Sequence, residues 1–338
     1  MSGGILLALG VGLLPVLLFL LSLIALDSYK LVRLRAVLLA IVVGGVAAGA
    51  AYLLNGAVLE TSELEFTIFS RYVAPPVEEL LKGSIVVYLL TSHRVGFLVD
   101  AAIFGFAVGA GFALVENLYF LNLVGQASPA TWIIRGFGTA IMHGGTTAIL
   151  AIMAKTMGER RERIDAASVL PALLTATVVH GFFNHFFLTP VLSALLVLVL
   201  LPPLLLLVFQ RSERALHEWL GTGFDADVQL LDLIHSGEFA DSKPGRYLQS
   251  LTEHFPGEIV ADMLCYLRLH LELAIRAKGE LMMRESGFQS EIEPETRAKF
   301  EELRYLQNSI GATGRLAMKP FLDVRGRELW QLYLLERP

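Results

Sequence analysis

Seven apolar stretches crowd the first 210 residues, near 4–26, 35–54, 76–92, 96–121, 130–154, 167–188 and 190–209. A helix needs about 20 residues to cross a hydrocarbon core of about 30 Å, and most of these stretches reach that length. They set the fold class as all-α, a polytopic transmembrane helix bundle of about seven spans. The third stretch is short and carries charges, so hydropathy alone would demote it. The first lacks a basic leader region and a convincing small-residue cleavage site, so it reads as a retained span and not a signal peptide. Composition agrees, since 54% hydrophobic and 17% charged residues lie outside the soluble globular range.

Charge is distributed unevenly. Residues 1–210 hold 11 of the 27 Lys and Arg and 11 of the 32 Asp and Glu. The chain therefore divides into a membrane domain, 1–210, and a polar domain, 211–338. Lys30, Arg33 and Arg35, then Arg94, then Lys155, Arg160, Arg161 and Arg163, then Arg211 and Arg214 mark alternate loops as cytoplasmic. The intervening loops carry Glu60, Glu63 and Glu65 with only Arg71, or no charge at all. Seven spans with the N-terminus outside satisfy every loop and make 211–338 a cytoplasmic helical domain. Its apolar periodicity is clearest in 259–275 and 297–307. No basic cluster suits a phosphate backbone, which argues against nucleic acid as a partner. The single Cys265 rules out an intrachain disulfide and thiolate metal clusters, and reads as a buried small apolar residue.

Ionisable side chains at membrane depth are costly and by default mark a functional site facing the bundle interior. This chain has Glu78, Glu79 and Lys82 in the third span, Asp100 and Glu116 in the fourth, Arg135 and His143 in the fifth, and His180 and His185 in the sixth. Pro75 and Pro76 can start a helix in which Glu78 and Glu79 project about 100° apart. Lys82, one turn on, can neutralise one of them while the other faces a cavity. Arg135, Thr139 and His143 fall at intervals of four, as do His180 and Asn184. In the alternating topology Glu78, Glu79, Glu116, Arg135, His143, His180 and Asn184 all fall in the outer half of the bilayer. His185 and Asp100 read as interface or structural residues.

These motifs resemble those of a known family. Pro76-Val77-Glu78-Glu79-Leu80-Leu81-Lys82, Gly109-x-Gly111-Phe112-x-x-x-Glu116-Asn117, Arg135-x7-His143 and His180-x-x-x-Asn184 stand in the order found in the PrsW family of intramembrane proteases. That family is related to the CAAX-processing and bacteriocin-processing membrane endopeptidases. The resemblance covers about residues 70–190 and leaves 211–338 outside it. It implies cleavage of a peptide bond in a single-pass membrane protein, an anti-sigma factor for some members, at the outer side of a prokaryotic plasma membrane. Lys82, where the CAAX-processing branch has an Arg one position later, favours the PrsW branch.

No Gly-x-Ser-x-Gly elbow is present and the one Cys lies in the polar domain, so the chemistry calls for an activated water. The catalytic set expected is Glu78, Glu79, Glu116, His143, His180 and Asn184. Glu78 or Glu79 activates the water, and His143 and His180 orient it or donate protons. Asn184 stabilises the oxyanion, and Glu116 completes the polar cavity with Arg135 as its partner. This mechanism needs no cofactor. A zinc alternative draws ligands from His143, His180 and Glu116, with water in the fourth position. A proton-coupled transporter or a seven-span ligand sensor would use the same buried polar groups, although no inverted repeat is visible.

Overall fold

The computed structural model describes residues 3–29, 32–92, 94–124, 128–161, 163–185, 187–288 and 294–322, with side chains from residue 8 onward. Lys30, one of the loop cations read above, and residues 323–338 of the polar domain lie outside the described residues. The described residues are helical and contain no strand. Two compact units divide at Ser212 and Glu213.

The first unit contains α1 (Gly3–Ala25), α2 (Leu34–Thr61), α3 (Ala74–Thr91), α4 (Leu98–Val124), α5 (Ala140–Arg160), α6 (Ala166–His185) and the start of α7 (Pro190–Ser236). A π-helical turn, Phe69–Val73, leads into α3, and a second, Ile134–Thr139, leads into α5. Among the described residues, six helical stretches are long and apolar enough to cross a membrane, which makes the chain an all-α polytopic protein. The third expected span is the 18-residue helix α3; three charged residues on it, Glu78, Glu79 and Lys82, set it apart from those six. Burial explains how it tolerates them, because Glu79 and Lys82 are fully enclosed by other helices.

Helix α4 is the centre of this unit, and small residues let its neighbours approach closely. A methyl group added at Gly111 would lie 1.9 Å from the Ile41 carbonyl oxygen of α2, and one at Gly109 would lie 2.2 Å from the His143 carbonyl oxygen of α5. Backbone contact at Gly109 thus brings α4 alongside the turn that carries His143. Ile103, Phe106, Ala107, Val108, Ile141 and Leu150 fill the surrounding core.

Helix α7 runs for 47 residues, well past the span expected to end at 209. The residues after it are polar but favour helix, so the backbone ladder has no reason to stop at a hydropathy boundary. The second unit continues with α8 (Lys243–Ser250), α9 (Gly257–Glu285) and α10 (Pro294–Met318). Met263, Leu267, Leu273, Phe300, Leu303 and Ile310 form its core. Ser242 caps α8 by accepting from the Gly245 amide at 3.1 Å, with Pro244 in the first turn. Contrary to the reading above, Cys265 is exposed. It shares the solvent face of α9 with Ala261 and Arg268, four residues before and three after it.

Candidate active site and metal centre

Prolines 75 and 76 occupy the first turn of α3, where a missing amide costs nothing, and start the helix just ahead of Glu78 and Glu79. The 100° between adjacent positions separates these carboxylates. Glu79 turns fully inward, and its Oε1 accepts from Lys82 Nζ at 2.6 Å, His180 Nδ1 at 2.8 Å and Thr146 Oγ1 at 3.3 Å. Glu78 keeps some exposure; its Oε1 accepts from Asn55 Nδ2 at 3.4 Å, and its Oε2 lies 3.8 Å from His180 Nε2. With Nδ1 donating to Glu79, neutral His180 presents the lone pair of Nε2 towards Glu78.

His143 enters from α5 with its ring edge-on to that of His180, centroids 4.8 Å apart. An ammonium has only donors, so the 3.1 Å contact between Lys82 Nζ and His143 Nδ1 makes Nδ1 an acceptor. His143 Nε2 lies 2.7 Å from Glu116 Oε2 on α4. The pair is out of hydrogen-bond alignment, and that carboxylate oxygen has no hydrogen-bond partner. Glu116 Oε1 pairs with Arg135 Nη2 at 2.9 Å, Arg135 Nε donates to Asn117 Oδ1 at 2.8 Å, and the guanidinium stacks 4.0 Å over the Phe120 ring.

The π turn accounts for the way Arg135 and His143 meet the same carboxylate. Eight residues of regular α-helix overshoot two turns by about 80°, and a π turn takes up about one extra residue. The turn at Ile134–Thr139 therefore restores the two side chains to one face. The interval-of-four stripe expected through Thr139 is replaced by this longer turn.

Five of the expected residues, Glu78, Glu79, Glu116, His143 and His180, thus form one linked polar cluster drawn from four helices. Asn184 stands one turn beyond His180, and its Nδ2 donates to the Ser70 carbonyl in the π turn before α3, at 3.2 Å. The two set aside as structural lie elsewhere. Asp100 caps the opposite end of α4, accepting from the Gly96 and Phe97 amides at 2.9 and 3.1 Å. His185 donates to the Gly181 carbonyl and packs against Tyr72 and Phe187. Two contributors, Asn55 and Thr146, escaped the sequence reading, and a third, Asn117, was given no role by it. Asn55 falls just past the expected end of the second span at 54 and is brought in because that helix runs on to Thr61. Thr146 lies three residues from His143. Asn117 stands in the quoted motif beside Glu116, but its bonds to Gly12 and Arg135 on other helices are not readable from it.

Glu78, His143 and His180 each offer one ligand atom, and all three atoms lie within 4.8 Å of one another. Donors about 2.0–2.2 Å from a tetrahedral zinc sit about 3.3–3.5 Å apart, so a closure of about 1 Å would complete the set. Two His and one Glu match a catalytic zinc site, Glu79 supplies the carboxylate behind a ligating imidazole, and both His are buried. The residues fit a divalent cation. Were His143 to ligate through Nε2, the Lys82 contact at Nδ1 and the Glu116 contact at Nε2 would both be remade. Glu78 takes the carboxylate place expected for Glu116, which Arg135 holds.

The profile of the family described as PrsW family intramembrane metalloprotease matches residues 32–208, more than half of the chain and every residue of the cluster. The chain belongs to the PrsW family. No curated protein and no solved structure matches it. Membership makes the protein an intramembrane protease, and the PrsW description together with the Glu78, His143 and His180 group favours a metal over the cofactor-free reading.

Proposed function

We propose that this PrsW protein is a metal-dependent endopeptidase that cuts a single-pass membrane protein near the outer face of a prokaryotic plasma membrane. The observation that carries the reading is the convergence of Glu78, His143 and His180 beside a second carboxylate, Glu116, whose Oε2 has no hydrogen-bond partner. The Lys and Arg bias of the loops supports the outward placement.

Glu78, His143 and His180 would hold the metal, which when bound supplies a Lewis acid and a water acidic enough to deprotonate near neutral pH. Glu79 fixes the His180 tautomer from behind, and Lys82 balances the charge of Glu79. Glu116 is the base. Its side chain is 35% exposed, whereas Glu79 is fully buried with three donors on one oxygen. Glu116 takes the proton of the attacking water and returns it to the leaving amine. Arg135 holds Glu116 in place through Nη2. Asn184 has a second N–H besides the one on Ser70, and this donates to the oxyanion of the tetrahedral intermediate.

Purified variants separate these roles. Glu78→Gln is expected to lose both zinc and cleavage of a co-expressed single-pass substrate. Glu116→Gln is expected to retain zinc and lose about 10²–10⁴ in kcat. Wild-type cleavage by Glu78→Gln would sink the proposal.

A further inference from the structure

Helix α1 lies outside the matched residues, yet its backbone reaches the cluster. Pro15 has no amide to offer the Val11 carbonyl one turn earlier, so that turn of α1 has a carbonyl without its helical donor. The Val11 oxygen lies against Gly136, the residue after Arg135; a methyl group added at Gly136 would sit 1.9 Å from it. The next carbonyl, Gly12, accepts from Asn117 Nδ2 at 2.8 Å. Asn117 is 2% exposed and spends its other end on Arg135 Nε. Trp132, also buried, closes over Gly12.

We infer that Asn117 is a positioning residue that ties the Pro15 turn of α1 to Arg135, and through Arg135 sets Glu116 against His143. This rests on the role of Glu116 proposed above. An amide is suited to the task because it donates to one carbonyl and accepts from one guanidinium at the same time. Leucine fills the same space and does neither. Aspartate accepts from Arg135 but cannot donate to Gly12. The α1 turn thereby becomes part of the catalytic unit, although it contributes no side chain to it.

The test compares full-length Asn117→Leu, Asn117→Asp and Gly136→Ala with wild type for kcat and KM on a single-pass substrate, and for zinc affinity by chelator competition. Asn117→Leu is expected to lower kcat about 10- to 100-fold, the usual cost of losing an outer support of a metal site. KM should stay within about twofold and zinc affinity within about threefold, because the ligands themselves are untouched. Asn117→Asp should regain part of the loss, and Gly136→Ala, which pushes α1 away, should match the leucine variant. Wild-type kcat in Asn117→Leu, an effect on KM alone, parallel loss of zinc, or an aspartate variant no better than leucine would each overturn the inference. If Asn117→Leu does not accumulate, Asn117→Asp decides alone: reduced kcat with zinc retained supports the inference, and wild-type kcat overturns it. A Glu78→Gln control that still cleaves removes the proposed function and this inference with it; an inactive control beside a fully active Asn117→Leu removes the inference only.

Discussion

Replacing Lys82 with Met tests whether the inner half of the cluster is held by charge balance. Lys82 is completely buried, its Nζ lies 2.6 Å from Glu79 Oε1, and Glu79 is completely buried too. Removing one partner of such a pair leaves an uncompensated buried charge and costs about 3–5 kcal/mol, whereas replacing both partners with groups of similar shape is near neutral. For a unit of this size each kcal/mol moves the midpoint by about 2–4 °C, so Lys82→Met is expected to melt roughly 6–20 °C below wild type. In the double variant Lys82→Met/Glu79→Gln, the Gln carbonyl still accepts from His180 Nδ1 and Thr146, so most of that loss should return. Thermal unfolding in one detergent, followed by circular dichroism for wild type, both single variants and the double, gives the coupling directly. A single Lys82→Met variant within about 1 kcal/mol of wild type, or a double variant no more stable than Lys82→Met, would refute the account of Lys82 as the counter-charge of Glu79.

Gly109→Ala should both destabilise the bundle and abolish cleavage, because the added carbon must displace the His143 carbonyl; normal activity in a folded variant would contradict the close approach. Arg135→Lys keeps the charge beside Glu116 but loses the Nε donor to Asn117 and the stacking on Phe120, so kcat should fall about tenfold or more. Chelation followed by dialysis should remove cleavage and added zinc restore it; activity unaffected by chelation in protein shown to be free of metal would end the metal reading. Asp165, just before α6, exchanges bonds with Ser168, its Oδ1 accepting from the Ser168 amide and its own amide donating to Ser168 Oγ. Burial alone would raise its carboxyl, but the Ser168 amide, Arg161 and Arg163 outweigh it and hold the group below its usual 3.8. Its stabilisation of the α6 start is therefore complete above the unfolded value and disappears as pH falls through the lower folded value. Hydrogen exchange over residues 166–170 should accelerate below about pH 4 in wild type and show no such step in Asp165→Asn.

Much of this architecture is legible from hydropathy, because a bilayer forces backbone polar groups to be satisfied within each helix and so makes apolar length a direct report of structure. The cost of burying ionisable groups made Glu78, Glu79, Glu116, His143 and His180 visible in the same way. What periodicity cannot give is the partner of each group across helices. Lys82 was placed one turn from both Glu78 and Glu79, and only packing against α5 and α6 decides that it serves Glu79 and His143. The choice of Glu78 over Glu116 beside the two imidazoles has the same origin, since Arg135 claims Glu116 from a different helix.

The π turn at Ile134–Thr139 shows where local reading fails and why the failure lies at the site. Regular helix would have aligned Arg135 with Thr139 and left it about 80° away from His143. Only a backbone irregularity, with no fixed residue signature of its own, puts both on the two oxygens of Glu116. Gly136 and Gly138 lie within that turn, and the Val11 carbonyl of α1 lies against Gly136. Gly136 thus belongs both to the irregular turn and to the contact with α1, whereas Gly138 faces Ala194 of α7. A substitution that regularised the turn would remove the Arg135 contact and the α1 contact together, leaving Glu116 free to rotate away from His143.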